Sequence, residues 1–224
     1  MRSHLRAEPP EARTLLLQVD GLIAGWNKPV VGPVSFALSA GEVVGLWGAN
    51  GSGKSTLLAA LAGGAHCFAG SLCYAPGLRL AVQPQAPVRF TPLPVTGREF
   101  LSIAGANPDA NAGSMPQSLV RLLPQRLDLL SGGQHQLLGV WAALAGPGQL
   151  VLLDEPTNNL DPIHAELLAQ MLMDRATNRA VLMVSHEQAF LDANCSRVLQ
   201  LASGPDRNGA LATFQVTDGP NHTH

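Results

Sequence analysis

The sequence is poor in charge and poorer still in lysine. Asp, Glu, Lys and Arg make up 13% of its 224 residues, about half the usual share, and Lys28 and Lys54 are the only lysines. With 14 basic against 16 acidic side chains the net charge is −2, which argues against a basic surface that grips nucleic acid. Three cysteines, Cys67, Cys73 and Cys195, form no CxxC pair and are odd in number. They read as reduced, small apolar residues of a cytosolic protein rather than a disulfide framework. Long apolar runs are missing as well: Val43–Trp47 and Leu150–Leu153 fall far short of the ~20 residues that span a bilayer. Met1 to Arg13 is polar and lacks the apolar centre of a signal peptide. The expectation is a cytosolic chain that does not itself cross a membrane.

What is present is a 46% hydrophobic composition, enough for a real core in one domain or one domain with a subdomain. A surface with so few charges also suits partial cover by a partner. After a loose tail over residues 1–14, Leu15–Val19 and Val34–Leu38 read as antiparallel strands separated by Gly, Pro and Asn. Glu42–Trp47 is a buried strand, followed by a helix through Leu57–Ala62. Leu72–Tyr74 and Leu78–Val82 suggest further strands. A proline-rich stretch follows, with helical segments near Arg98–Ala104 and Gln117–Leu123. Helices over Gln134–Ala145, residues 163–175 and Glu187–Ala193 then alternate with the apolar strands Leu150–Leu153 and Ala180–Val184. Strand character returns near Ala210–Val216. Buried strands alternating with helices predict an α/β fold with a mostly parallel sheet.

The chemistry begins at Gly48-Ala49-Asn50-Gly51-Ser52-Gly53-Lys54-Ser55-Thr56, which fits G-x-x-x-x-G-K-[ST] between a strand and a helix. Glycines let successive backbone N–H groups turn toward a phosphate, and the helix that begins near Lys54 adds its positive end. Lys54 can reach the β- and γ-phosphates, and the Ser55 hydroxyl can bind Mg²⁺. Downstream, Leu150–Leu153 delivers Asp154 and Glu155 at the end of a buried strand, where an acid needs a partner. Asp154 suits Mg²⁺ opposite Ser55. Glu155 is placed to polarise an attacking water as general base.

Between these motifs lies Leu130-Ser131-Gly132-Gly133-Gln134. On capping grounds alone it is a common helix start. With the phosphate loop before it and Asp-Glu after it, the chain resembles the nucleotide-binding subunit of the ATP-binding-cassette (ABC) family from about Leu15 to Leu201. The resemblance implies an α/β P-loop NTPase (RecA-like) core, with an antiparallel β subdomain and an inserted α-helical subdomain. Core and β subdomain would occupy residues 15–85 and 146–204, the helical signature subdomain 86–145, and a C-terminal extension 205–224. It also implies that Gln85 is the Q-loop glutamine contacting Mg²⁺, with Gln83 as the neighbouring alternative. His186 becomes the γ-phosphate switch and Asn159-Leu160-Asp161 the D-loop. Trp26 becomes the adenine-stacking aromatic, with a core tryptophan as the alternative. Ser131, Gly132, Gly133 and Gln134 would close over the ATP of a second copy, giving a head-to-tail homodimer glued by ATP.

Two positions depart from the family pattern. Where the signature helix usually carries arginines, this chain has Leu137 and Ala142, so the helix is either less well fixed or held by packing. The segment from Leu78 through Thr96 is similar to that of zinc and manganese importer ATPases, whose apolar groove, here with Phe90, Leu93 and Phe100, receives a permease. The resulting expectation is the ATPase of an importer for a divalent metal ion. Its partners would be an integral-membrane permease and, indirectly, an external solute-binding protein, with no nucleic acid, and it would sit on the cytoplasmic face of the cell membrane. The alternatives are the ATPase of a haem or drug exporter, or a non-transport ABC ATPase acting on nucleic acid or the ribosome.

Overall fold

The structure, a computed structural model, describes residues 13–85, 94–109, 113–175, 178–202 and 213–217. Two sheets organise them. The first is antiparallel with order β2-β1-β4, from β1 (Leu15–Gly25), β2 (Pro29–Ser39) and β4 (His66–Tyr74). The second has six strands in the order β5-β6-β7-β3-β8-β9, namely β3 (Val43–Gly48), β5 (Leu80–Gln83), β6 (Leu150–Asp154), β7 (Ala180–Val184), β8 (Arg197–Ala202) and β9 (Thr213–Thr217). Its first five strands are parallel and β9 pairs antiparallel with β8.

The inner parallel strands β3, β6 and β7 are apolar on both faces because both are covered. Alternate residues feed two cores. Val43, Val151, Leu153, Val181 and Met183 pack with helices α4 (Gly132–Ala145), α5 (Pro162–Arg175) and α6 (Gln188–Asn194). Val44, Leu46, Leu150, Leu152, Leu182 and Val184 pack with α1 (Lys54–Leu61) and the antiparallel sheet. Helices α2 (Gly97–Ile103) and α3 (Gln117–Val120) flank α4.

Several elements differ from the sequence expectation, among them β8, which it did not include. β1 and β2 each run 11 residues, longer than predicted, because bulges carry the pairing past Gly21 and Pro33. β4 starts six residues before Leu72: nearly all of it is exposed, so no buried alternation marks it. The predicted helix to Leu123 stops at Val120, since Pro124 disfavours helical backbone just before it. Among the described residues no helix is long and apolar enough to cross a membrane. The predicted tail residues 1–12, most of the C-terminal extension, Phe90 and Leu93 lie outside the described residues.

Candidate active site at the carboxyl ends of the parallel strands

Parallel pairing aligns three strand ends. Asp154 on β6 pairs with Val184 on β7, and Leu46 on β3 pairs with the same Val184. The segments leaving β3, β6 and β7 therefore meet along one edge, where open α/β sheets bind their ligands.

From β3 the chain enters the phosphate loop. Gly51 and Gly53 adopt φ of +80° and +95°, backbone that side-chain-bearing residues rarely take. A Cβ on Gly51 would meet nothing within 4 Å, so the loop presents bare backbone to the cleft. Gly53 caps α1 and hands the chain into its N-terminal turn. Lys54 is 7% exposed, and its Nζ donates to the carbonyls of Gly48 at 2.8 Å and Ala49 at 3.0 Å. The Ser52 hydroxyl is buried with no partner. Asn50, Gly51, Gly53, Lys54, Ser55 and Thr56 line a cleft of about 400 Å³, together with Val30, Gln85 and Glu155.

Ser55 Oγ donates to Asp154 Oδ1 at 3.4 Å, so two hard oxygen donors converge beside the loop. Burial pushes the Asp154 carboxyl above the usual carboxylate range. The Ser55 bond and the Lys54 charge pull it down, and the neighbouring Glu155 charge pushes it up. A half-buried carboxylate under that penalty suits a divalent cation, and serine plus aspartate is an oxygen donor set that Mg²⁺ accepts. Glu155 is 7% exposed and holds φ at +51°, a left-handed conformation costing about 1–3 kcal/mol. Its backbone is pinned on both sides: its N–H donates to Val184 O at 2.9 Å, and its carbonyl accepts from Gln136 Nε2 at 3.2 Å. Glu155 Oε2 accepts the His186 N–H at 3.2 Å and lies 2.9 Å from His186 Nδ1. The histidine side chain itself is 53% exposed.

The remaining predicted residues divide. Gln85 lines the cleft, whereas Gln83 is buried and turns its amide to the Pro84 carbonyl. Trp26 is 52% exposed in the β1–β2 turn, so it is not a core tryptophan. It does not line the cleft, although Val30, four residues on, does. Ser131, Gly132, Gly133 and Gln134 do not line it either. They open α4 with a capping box in which Ser131 and Gln134 satisfy one another's backbone. Asp161 accepts the His164 N–H at 2.9 Å and pairs with its ring at 3.0 Å, starting α5. The His164 backbone bond holds the Asp161 carboxyl below its ordinary range.

Three groups were not foreseen. Gln136 fixes the Glu155 backbone. A buried Thr157–Ser185 hydroxyl contact of 2.8 Å joins the segments after β6 and β7. Arg179 Nη1 donates to Leu144 O at 2.5 Å and Gly146 O at 3.1 Å at the end of α4. Only Gln136 had a sequence signal, as a polar side chain on the core-facing side of an otherwise apolar helix. Where arginines were absent, Leu137 is 1% and Ala142 6% exposed, so packing anchors α4.

A family described as ABC transporter matches residues 31–158. The zinc import ATP-binding protein ZnuC of Paracoccus denitrificans is 38% identical over 181 residues, covering 79% of this chain and 71% of that protein. The protein of the same name from Ruegeria pomeroyi is 38% identical over 192 residues, covering 84% and 73%. Among solved structures, an ATP binding subunit of an ABC transporter superposes with a TM-score of 0.71 at 26% identity, over 83% of this chain and 85% of that one.

Proposed function

The chain belongs to the ABC transporter family, and from that premise we propose that it is the ATP-hydrolysing subunit driving zinc import through a separate membrane permease. The observation that carries the reading is the convergence of Lys54, the Ser55–Asp154 pair and the Glu155–His186 pair at the ends of β3, β6 and β7. The zinc assignment rests on the relatives named above.

The residues divide the work. Backbone N–H groups of the loop from Gly48 to Lys54 and the start of α1 bind phosphate oxygens. Lys54 exchanges its Gly48 and Ala49 carbonyls for the β- and γ-phosphates. Ser55, Asp154 and Gln85 would hold Mg²⁺, which neutralises phosphate charge when bound. Glu155 takes the proton of the attacking water, and the exposed ring of His186 turns from Glu155 to the γ-phosphate. Trp26 stacks on adenine. Ser131 to Gln134 and Asp161, which line no part of their own cleft, close over the nucleotide of a second copy, so the working form is a head-to-tail dimer. The permease seats in an apolar groove of about 370 Å³ between β5, α2 and α4, where Leu80, Val82, Phe100 and Ala142 meet. In this reading the chain sits on the cytoplasmic face of the membrane, and an external solute-binding protein delivers zinc to the permease.

The test is reconstitution with its membrane partner in vesicles. ATP-driven zinc accumulation that disappears with Glu155→Gln supports the reading. Zinc-independent turnover coupled to haem or drug export would overturn it.

A further inference from the structure

α4 carries the predicted signature at its N-terminus but no lysine or arginine along its length. Most of α4 is buried, and Leu137, Trp141 and Leu144 are spaced to share one face. α5 offers Leu168 and Leu172 from the other side, and one turn beyond them stands Arg175. The Arg175 guanidinium lies over the Trp141 ring, 4.5 Å from its centroid, and its Nη2 donates to Ser114 Oγ in the segment leading to α3. Burial pulls Arg175 below the usual arginine range, with the Asp174 charge opposing. Burial and, to a lesser degree, the charge of Arg175 do the same to Arg179. Arg179 in turn holds the Leu144 and Gly146 carbonyls at the end of α4.

The C-terminal half of α4 is thus gripped by two cations supplied from α5 and the segment after it. Trp141 and Ser131 are ten residues apart on one helix, about 15 Å at 1.5 Å per residue. A small tilt at Trp141 becomes a displacement at Ser131. We propose that Arg175, stacked on Trp141 and bonded to Ser114, is a positioning residue that sets the angle at which the Ser131–Gln134 segment meets the partner's nucleotide. It acts through α4 and touches no substrate. The cation is well suited to this because stacking over an indole fixes the height of the guanidinium plane, while its fork reaches a second element. This inference rests on the reading that the segment closes over ATP in a second copy.

The test uses the full chain carrying Glu155→Gln, with ATP-dependent dimerisation read by light scattering. Nucleotide affinity of the monomer is read separately with a fluorescent ATP analogue. Failure of Glu155→Gln alone to dimerise removes the head-to-tail reading itself, and so is told apart from failure of this inference. If it dimerises, adding Arg175→Gln is expected to raise the half-saturating ATP for dimerisation tenfold or more, with monomer affinity kept within twofold. Arg175→Lys, which keeps a cation over the indole and loses the fork, is expected to fall between. Unchanged dimerisation overturns the proposal. A parallel loss of monomer affinity overturns it too, because Arg175 would then support the fold at large. If Arg175→Gln fails to fold by thermal melting, Trp141→Phe replaces it: a selective loss of dimerisation supports the proposal, and unchanged dimerisation or a parallel loss of monomer affinity overturns it.

Discussion

Restoring the two arginines that α4 lacks separates two environments on one helix. Leu137 is 1% exposed and borders a cavity of only about 50 Å³, shared with Ser118, Leu119, Leu122, Gln134, His164 and Leu167. That lining holds no carboxylate among the described residues. A Leu137→Arg guanidinium would be buried without a counter-charge, a fault that costs about 3–5 kcal/mol. A domain of this size carries about 5–15 kcal/mol in total, and each kcal/mol moves its melting temperature by about 2–4 °C. Leu137→Arg should therefore melt roughly 10 °C below the unmodified chain. Ala142 is nearly as buried, yet it lines the 370 Å³ groove beside Gly139, Ala143 and Gly146. An Ala142→Arg stem can lie along that apolar wall with its head in water, at about 1 kcal/mol, so its melting point should stay within ~4 °C. Circular-dichroism melts at matched salt and concentration decide it. Two results would refute the distinction: Leu137→Arg melting with the unmodified chain, or Ala142→Arg falling as far as Leu137→Arg.

Lys54→Ala removes two charged hydrogen bonds inside the loop and the cation that faces phosphate. At about 1.5–3 kcal/mol for each hydrogen bond from that cation to a phosphate oxygen, ATP affinity in a titration should fall at least tenfold. Because burial raises the Asp154 carboxyl, the folded chain holds that proton more tightly than the unfolded one. This residue's contribution to stability thus grows as pH falls through the window between the ordinary and the raised value, and at neutral pH its ionised form is a penalty. Asp154→Asn should raise the melting temperature of the nucleotide-free protein at pH 7 and flatten its acid-side pH dependence. Mg²⁺ affinity of the unmodified protein should weaken as pH drops through the same window. Burial pushes the Cys195 thiol up to about 12, while Cys67 and Cys73 are exposed. A thiol reagent at pH 8 should label two cysteines in the folded chain and the third only after denaturant is added.

The sequence was most legible where one physical cause dominates. Leu150–Leu153 and Ala180–Val184 are apolar because both faces are covered, and the structure places strands there. The phosphate loop was legible because few backbones need Gly51, Gly53 and Lys54 at that spacing. β4 was only half visible, since a strand exposed along its length writes no alternation into its residues. The reading that favours Gln85 over Gln83 rests on the resemblance, since nothing local in the sequence says that Gln83 ends β5 facing the core while Gln85 lines the cleft beyond it. The partners of Glu155 could not be read either: Gln136 and His186 lie 19 and 31 positions away, and nothing local links them.

The six-stranded sheet also acts as a partition. Leu152 and Leu153 are neighbours in the chain, yet one belongs to the core beneath the phosphate loop and the other to the core beneath α4 and α5. Side chains that share no partners change stability additively, while those in one cluster couple. Leu152 therefore has more in common with Leu182 on the next strand than with its own successor. Paired truncations of Leu152 and Leu182 should couple, while those of Leu152 and Leu153, on opposite sides of the sheet, should come closer to adding.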